Sequence, residues 1–294
     1  MIFKGIITAL ITPFKDGKID LISLEKLINK QISAGVDGVV IGGSTGEGSS
    51  LSEQEQRELL GAALKFAAGR VKIIAAITAV STLEAVKKVQ DLCKMDIDGI
   101  MCTAPHYVRP EQQGLVLHYK AISEAASVPL MVYIHPGRTG CDFSDKTLLE
   151  IAGFKNIDAV KDATSDIEKP LRILPKVKNF NMMIGDDSRM LAYNAHGGSG
   201  CVSVAANIFP RILKKIDMLW RAGEIAPARQ LQQKLMPFFA SISVESNPIG
   251  IKYAVFKAGL CGSEIRLPLT MAKSETHAAI DQALEELLVL ENNV

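Results

Sequence analysis

The feature that most constrains this chain is an alternation. Over roughly the first 200 residues, short apolar runs are separated by longer stretches whose apolar residues recur at helical spacing. The runs Ile2–Ile11, Gly38–Ile41, Lys72–Ile77, Gly99–Cys102, Pro129–Ile134, Ile157–Val160, Asn181–Ile184 and Gly200–Val204 predict eight strands. Between the first two, Ser23–Ala34 places Leu24, Leu27, Ile28 and Ile32 on one helical face. Ser52–Ala68 and Ser81–Lys94 each open with a serine followed three residues later by a glutamate (Glu55, Glu84), the pattern of a capping box. Pro110 predicts a helix start where proline is tolerated, and further helices are expected from Ser144, from about Ile167 and from about Ser188.

Strand–helix repeats of this kind require parallel pairing with right-handed crossovers, and strands that are apolar throughout are covered on both faces. Eight such units can close into a (β/α)8 barrel. An open, doubly wound sheet is the alternative. It would carry a glycine-rich turn after the first strand, where this chain has Thr12-Pro13-Phe14. Beyond Asn207 only helices are expected: Asn207–Ala222, Glu224–Ser241, Pro248–Leu260 and His277–Leu290. The expected organisation is a barrel over residues 1–206 and a C-terminal helical extension over 207–294.

Composition narrows the partners. With 33 basic and 32 acidic residues, nothing marks a nucleic-acid footprint or a polybasic membrane patch, and small metabolites are the expected ligands. No apolar run approaches transmembrane length, and the apolar start lacks a basic leader, so a cytoplasmic protein is expected. The five cysteines are dispersed without a C-x-x-C pair, as reduced thiols are. The five histidines are dispersed too, and no metal-ligand spacing appears.

In such a barrel the reactive groups stand at the C-terminal ends of the strands. The second strand leads into Gly42-Gly43-Ser44-Thr45-Gly46-Glu47. The fourth leads to His106 and Tyr107, and the fifth to Tyr133 with Arg138 beyond. The sixth ends at Lys161, the seventh at Gly185-Asp186-Asp187, and the eighth passes through Val202 and Ser203. Each has two readings. Lys161 snorkels into water from a strand end, or it is buried, where the cation is costly and the neutral amine is a nucleophile. The Gly42–Glu47 loop is a helix-capping connector, or its N–H groups hold a carboxylate beside the Ser44 and Thr45 hydroxyls. Tyr133 is a core tyrosine or a proton relay. Arg138 is a solvated loop charge or a fork for a substrate carboxylate. Asp186 and Asp187 read as caps.

Taken together, Gly43-Ser44-Thr45-Gly46-Glu47, the stretch from Tyr133 through Pro136 and Arg138 to Gly140, Val160-Lys161-Asp162-Ala163-Thr164, Gly185-Asp186-Asp187 and Val202–Asn207 resemble the dihydrodipicolinate synthase family. That family lies within the wider N-acetylneuraminate lyase superfamily of Schiff-base aldolases, and the resemblance spans essentially the whole chain. It implies a (β/α)8 barrel in which Lys161 forms an imine with pyruvate. The derived enamine attacks L-aspartate 4-semialdehyde, giving 4-hydroxy-tetrahydrodipicolinate. It further implies that Tyr133 moves protons through Ser44 to a Tyr107 from a neighbouring subunit. The N–H groups of Ser44 and Thr45 would hold the pyruvate carboxylate, Arg138 that of the aldehyde, and the backbone of Gly185 and Val202 would line the pocket. No dissociable cofactor is implied, and the expected assembly is a homotetramer built as a dimer of dimers. The rival within the superfamily is a sister aldolase acting on N-acetylneuraminate or a 2-keto-3-deoxy sugar acid. A polyol substrate would call for hydroxyl-binding groups where Arg138 stands. A catalytically idle scaffold of the same fold is the remaining alternative, and the intact lysine, tyrosines and arginine argue against it.

There are departures. Ser44 stands where many members have threonine, and Asp162 where glutamate is frequent. Relative to lysine-inhibited members, the feedback positions read as Glu53, Gln56, Val80 and His106, with Glu84 retained. Val80 cannot supply a hydrogen-bonding amide. The expected outcome is a purified enzyme that keeps most of its rate in L-lysine; half-inhibition at sub-millimolar lysine would count against it.

Overall fold

The computed structural model describes residues 2–294. Eight parallel strands form one closed sheet: β1 (Gly5–Ala9), β2 (Gly38–Ile41), β3 (Lys72–Ile77), β4 (Gly99–Thr103), β5 (Leu130–Ile134), β6 (Ile157–Asp162), β7 (Asn181–Ile184) and β8 (Gly200–Ser203). Neighbours in the sheet are neighbours in sequence, with β8 next to β1, so the expected (β/α)8 barrel holds and the open sheet does not. C-terminal helices follow the eighth strand: Pro210–Arg221, Ile225–Ser241, Ile249–Lys257 and Ser274–Asn293.

Local chemistry explains most element boundaries. Ser52 caps the helix Glu53–Ala67 with both halves of its box formed. At Ser81 only one half forms. The Ser81 hydroxyl accepts from the Glu84 N–H, while the Glu84 carboxylate accepts from the Val80 N–H and pairs with Lys88 at 2.7 Å. The expected start at Pro110 is corrected, since the helix runs Gln112–Ala125 with Glu111 at the N-cap. Tyr107 and Arg109 take φ of 70° and 47°, so the chain is still turning when it reaches Pro110. Two features lay outside the sequence expectation. Pro136–Thr139 is one short helical turn after β5. Phe14–Lys15 and Lys18–Ile19 form a small hairpin across Asp16-Gly17, both at positive φ.

The chain packs as two compact units, residues 2–4 with 72–202 and residues 5–71 with 203–294. In the first, β4 to β7 pair in a register that sets Thr103 beside Tyr133, Tyr133 beside Lys161 and Lys161 beside Met183. Ile100, Val132, Ile134, Val160 and Ile184 are buried there.

In the second unit, β1 and β2 pack with the helices Leu21–Ala34 and Glu53–Ala67 and with the C-terminal helices. Phe209 and Phe238 meet edge to face at 4.8 Å between ring centroids. Glu291, near the end of the last helix, accepts from the N–H groups of Arg211 and Ile212, both at 3.0 Å. It thereby satisfies the free donors at the start of the helix Pro210–Arg221. The same unit holds a buried ion pair. Lys252 Nζ donates to the Glu47 carboxylate at 2.5 Å, and the other Glu47 oxygen accepts from the Arg266 N–H at 2.9 Å. Burial pushes the Lys252 amine down, and Glu47 opposes that shift. Removing one partner of such a pair leaves an uncompensated charge. Lys252→Met is expected to lose about 3–5 kcal/mol in urea unfolding, with most of it regained when Glu47→Gln is added.

Candidate active site

Alternation along a strand decides which side chains meet. Tyr133 on β5 and Lys161 on β6 are register partners, so they project to the same face of the sheet, while Asp162 turns to the other. Lys161 is 3% exposed. It lies inside the ladder because β6 runs one residue beyond it, and the reading in which it snorkels into water fails. Its Nζ stands 4.3 Å from the centroid of the buried Tyr133 ring. A Cβ at Gly185 would meet Lys161 Cε at 2.9 Å and Ala163 Cβ at 3.0 Å, so glycine at the end of β7 leaves the room the lysine stem occupies.

The neighbouring carboxylate does not reach this amine. Asp162 is held on the opposite face by Lys169 Nζ at 3.3 Å, by the Tyr193 hydroxyl at 3.3 Å and by the Thr164 N–H at 2.9 Å. Burial, with Asp162 beside it, pushes the Tyr193 phenol well above its ordinary range. Among the described residues, Lys161 has no carboxylate partner. An amine in this setting is a nucleophile for a carbonyl, with a phenol alongside to move protons.

The structure thus brings together Lys161, Tyr133 and Gly185. Arg138 lies exposed on the helical turn Pro136–Thr139, five residues past Tyr133. Tyr107 is 88% exposed at φ 70° and makes no hydrogen bond or ring contact among the described residues. Val202 is buried within β8.

Ser44 and Thr45 belong to the other compact unit, on a turn that follows β2. The turn closes through the N–H of Glu47 on the Ser44 carbonyl and that of Gly48 on the Gly43 carbonyl. The Thr12 hydroxyl donates to the Gly46 carbonyl at 2.6 Å, and Asn247 Nδ2 donates to Thr45 Oγ1 at 3.0 Å. A Cβ at Gly48 would overlap the Gly42 carbonyl, so the glycines here are required by backbone contact. Among the described residues the N–H groups of Ser44 and Thr45 donate to nothing, which leaves two adjacent donors free.

Three residues escaped the sequence reading. His135 lies two positions beyond Tyr133, the spacing of one strand face, and its ring meets the Tyr133 ring edge-on at 5.9 Å. Burial, with the charges of Arg138 and Lys161 adding to it, pushes this imidazole down to about 4. Lys169 and Asn247 carried no signal, since the partner of each is fixed by folding alone.

A closed parallel barrel with a buried lysine over a tyrosine defines a class: barrel enzymes equipped for amine–carbonyl chemistry. The chain belongs to the Dihydrodipicolinate synthetase family, which it matches over residues 2–287. It is 44% identical over 289 residues to a 4-hydroxy-tetrahydrodipicolinate synthase of Rickettsia bellii, covering 98% of each chain. Among solved structures it resembles the dihydrodipicolinate synthase of Thermotoga maritima at a TM-score of 0.95 and 33% identity, covering 97% of this chain and 99% of that one. It also resembles the chloride-inhibited enzyme of Acinetobacter baumannii complexed with pyruvate, at a TM-score of 0.93 and 35% identity, covering 96% and 98%.

A buried and a half-buried histidine, His118 and His135, set an acid limit. Burial holds His118 down to about 4 as well. Both imidazoles are neutral in the fold, whereas the unfolded chain takes up protons below its ordinary value near 6.5. Stability is therefore expected to fall as pH drops from about 6.5 and to stop falling from this cause below about 4. His118→Asn should reduce the fall in unfolding free energy across that window by up to about 3 kcal/mol in total.

Proposed function

We propose that Lys161 is the residue through which this chain carries out the 4-hydroxy-tetrahydrodipicolinate synthase reaction, the lyase activity of its family and a step of lysine biosynthesis. The observation that carries this reading is the buried Nζ above the Tyr133 ring, with no carboxylate partner among the described residues. The amine adds to the keto carbon of pyruvate and water leaves, giving an imine. Loss of a methyl proton gives an enamine, whose carbon attacks the aldehyde of L-aspartate 4-semialdehyde. The substrate's own amine then adds to the imine carbon and displaces Lys161, which closes the ring and restores the free amine.

Tyr133 is the proton carrier of this scheme, with Ser44 and Tyr107 as the further members of its relay. The free N–H groups of Ser44 and Thr45 suit the carboxylate of pyruvate, and Asn247 fixes the Thr45 hydroxyl beside them. Arg138 suits the carboxylate of the aldehyde as a bidentate fork. Gly185 serves by leaving space for the lysine, and Val202 lines the pocket from β8. Tyr107 is an exposed aromatic residue in a strained conformation, a poor arrangement for an isolated chain and a good one for a residue that completes a neighbouring subunit's relay. A homotetramer built as a dimer of dimers is the assembly this reading favours, in the cytoplasm, where its metabolites are. The feedback positions fit the same picture, because the Glu84 carboxylate is already engaged by Lys88 and the Val80 N–H.

Incubation with pyruvate and borohydride is expected to add the mass of one reduced pyruvate per chain, on the peptide that contains Lys161. Lys161→Ala should take up none and should lose the condensation rate by at least about 1,000-fold. A labelled chain whose adduct maps to another lysine would refute the assignment.

A further inference from the structure

Resting on that reading of the second substrate, we propose that His135 is a specificity residue, which accepts a hydrogen bond from the α-ammonium of the aldehyde while Arg138 takes its carboxylate. An α-amino acid headgroup presents an anion and a cation on one carbon, so a site that grips it must offer a donor fork and an acceptor a few ångströms apart. The turn after β5 carries both. His135 is its N-cap residue and Arg138 lies within it, the Arg138 N–H donating to the His135 carbonyl at 2.9 Å.

Three observations set the imidazole up as the acceptor. Its ring lies two residues beyond Tyr133 and forms a T-shaped pair, 5.9 Å between centroids, with the ring over which Lys161 Nζ stands. Its Nδ1 is buried without a hydrogen-bond partner. It is also neutral at ordinary pH, because burial and the two nearby cations oppose its charging. A neutral imidazole keeps one lone pair, which an ammonium can use and an imidazolium would lack. Gly137 completes the arrangement. A Cβ there would stand 3.3 Å from His135 Cε1 and 3.5 Å from Nδ1, so its absence leaves the ring its place.

The test compares the full-length enzyme with His135→Leu, His135→Gln and Gly137→Ala. In His135→Leu the KM for L-aspartate 4-semialdehyde should rise by about tenfold, the worth of one hydrogen bond to a charged group. The KM for pyruvate and the yield of borohydride-trapped adduct should stay within twofold. The affinity for 4-oxobutanoate, the same aldehyde without its amino group, should be equal in variant and parent. His135→Gln restores an acceptor and should recover most of the loss. Gly137→Ala crowds the ring without removing it and should move the same constant in the same direction. An unchanged KM for the amino aldehyde overturns the proposal, and so does a loss shared in equal proportion by pyruvate or by 4-oxobutanoate. A parent enzyme that traps pyruvate yet does not condense the amino aldehyde overturns the underlying choice of substrate instead.

Discussion

The candidate site depends on a buried lysine amine that has no carboxylate partner among the described residues. Lys161 sits 3% exposed within a parallel sheet, beside a tyrosine face and a glycine. The only acid next to it in sequence is Asp162, and strand alternation sends that carboxylate to the opposite face. There Lys169, Tyr193 and the Thr164 N–H occupy it. Had the pleat placed both on one side, they would be placed to form an ordinary buried ion pair. The sheet separates the amine from the carboxylate by nothing more than a period of two.

The supporting structure has the complementary character. Its buried acidic side chains are paired and hydrogen-bonded. Glu47 meets Lys252 and the Arg266 N–H, and Glu291 caps the first C-terminal helix through the N–H groups of Arg211 and Ile212. Glu47 lies at φ 51°, a left-handed conformation that costs a non-glycine residue, and the buried pair holds it there. This residue ends the turn that carries Ser44 and Thr45, so residues from the last third of the chain fix a loop from its first sixth. The C-terminal helices are in this sense part of the machinery that shapes the loop.

The turn after β5 is built from very little chain. Pro136 starts a single helical turn, Gly140 ends it in the left-handed region, and Arg138 and His135 share its hydrogen bonds. The four residues are held by their own backbone hydrogen bonds, directly after the strand that carries Tyr133.

The (β/α)8 class was legible in the sequence because its signal is local and repeated. Eight apolar runs of strand length, separated by helical periodicity and serine caps, leave few topologies open. Lys161, Tyr133 and Gly185 were legible for a related reason: they stand at or near strand ends, where barrel chemistry gathers. The start at Pro110 was misread, since the positive φ at Tyr107 and Arg109 that delays the helix has no glycine to announce it. The hairpin at Asp16-Gly17 had a signal that went unused. What only the tertiary structure decided is the set of pairings between distant residues: Lys169 with Asp162, Lys252 with Glu47, Asn247 with Thr45 and the edge of His135 on Tyr133. Periodicity fixes which way a side chain points along its own element. It cannot say what another element brings to meet it, because that depends on register and packing between elements, where no single stretch of sequence holds the information.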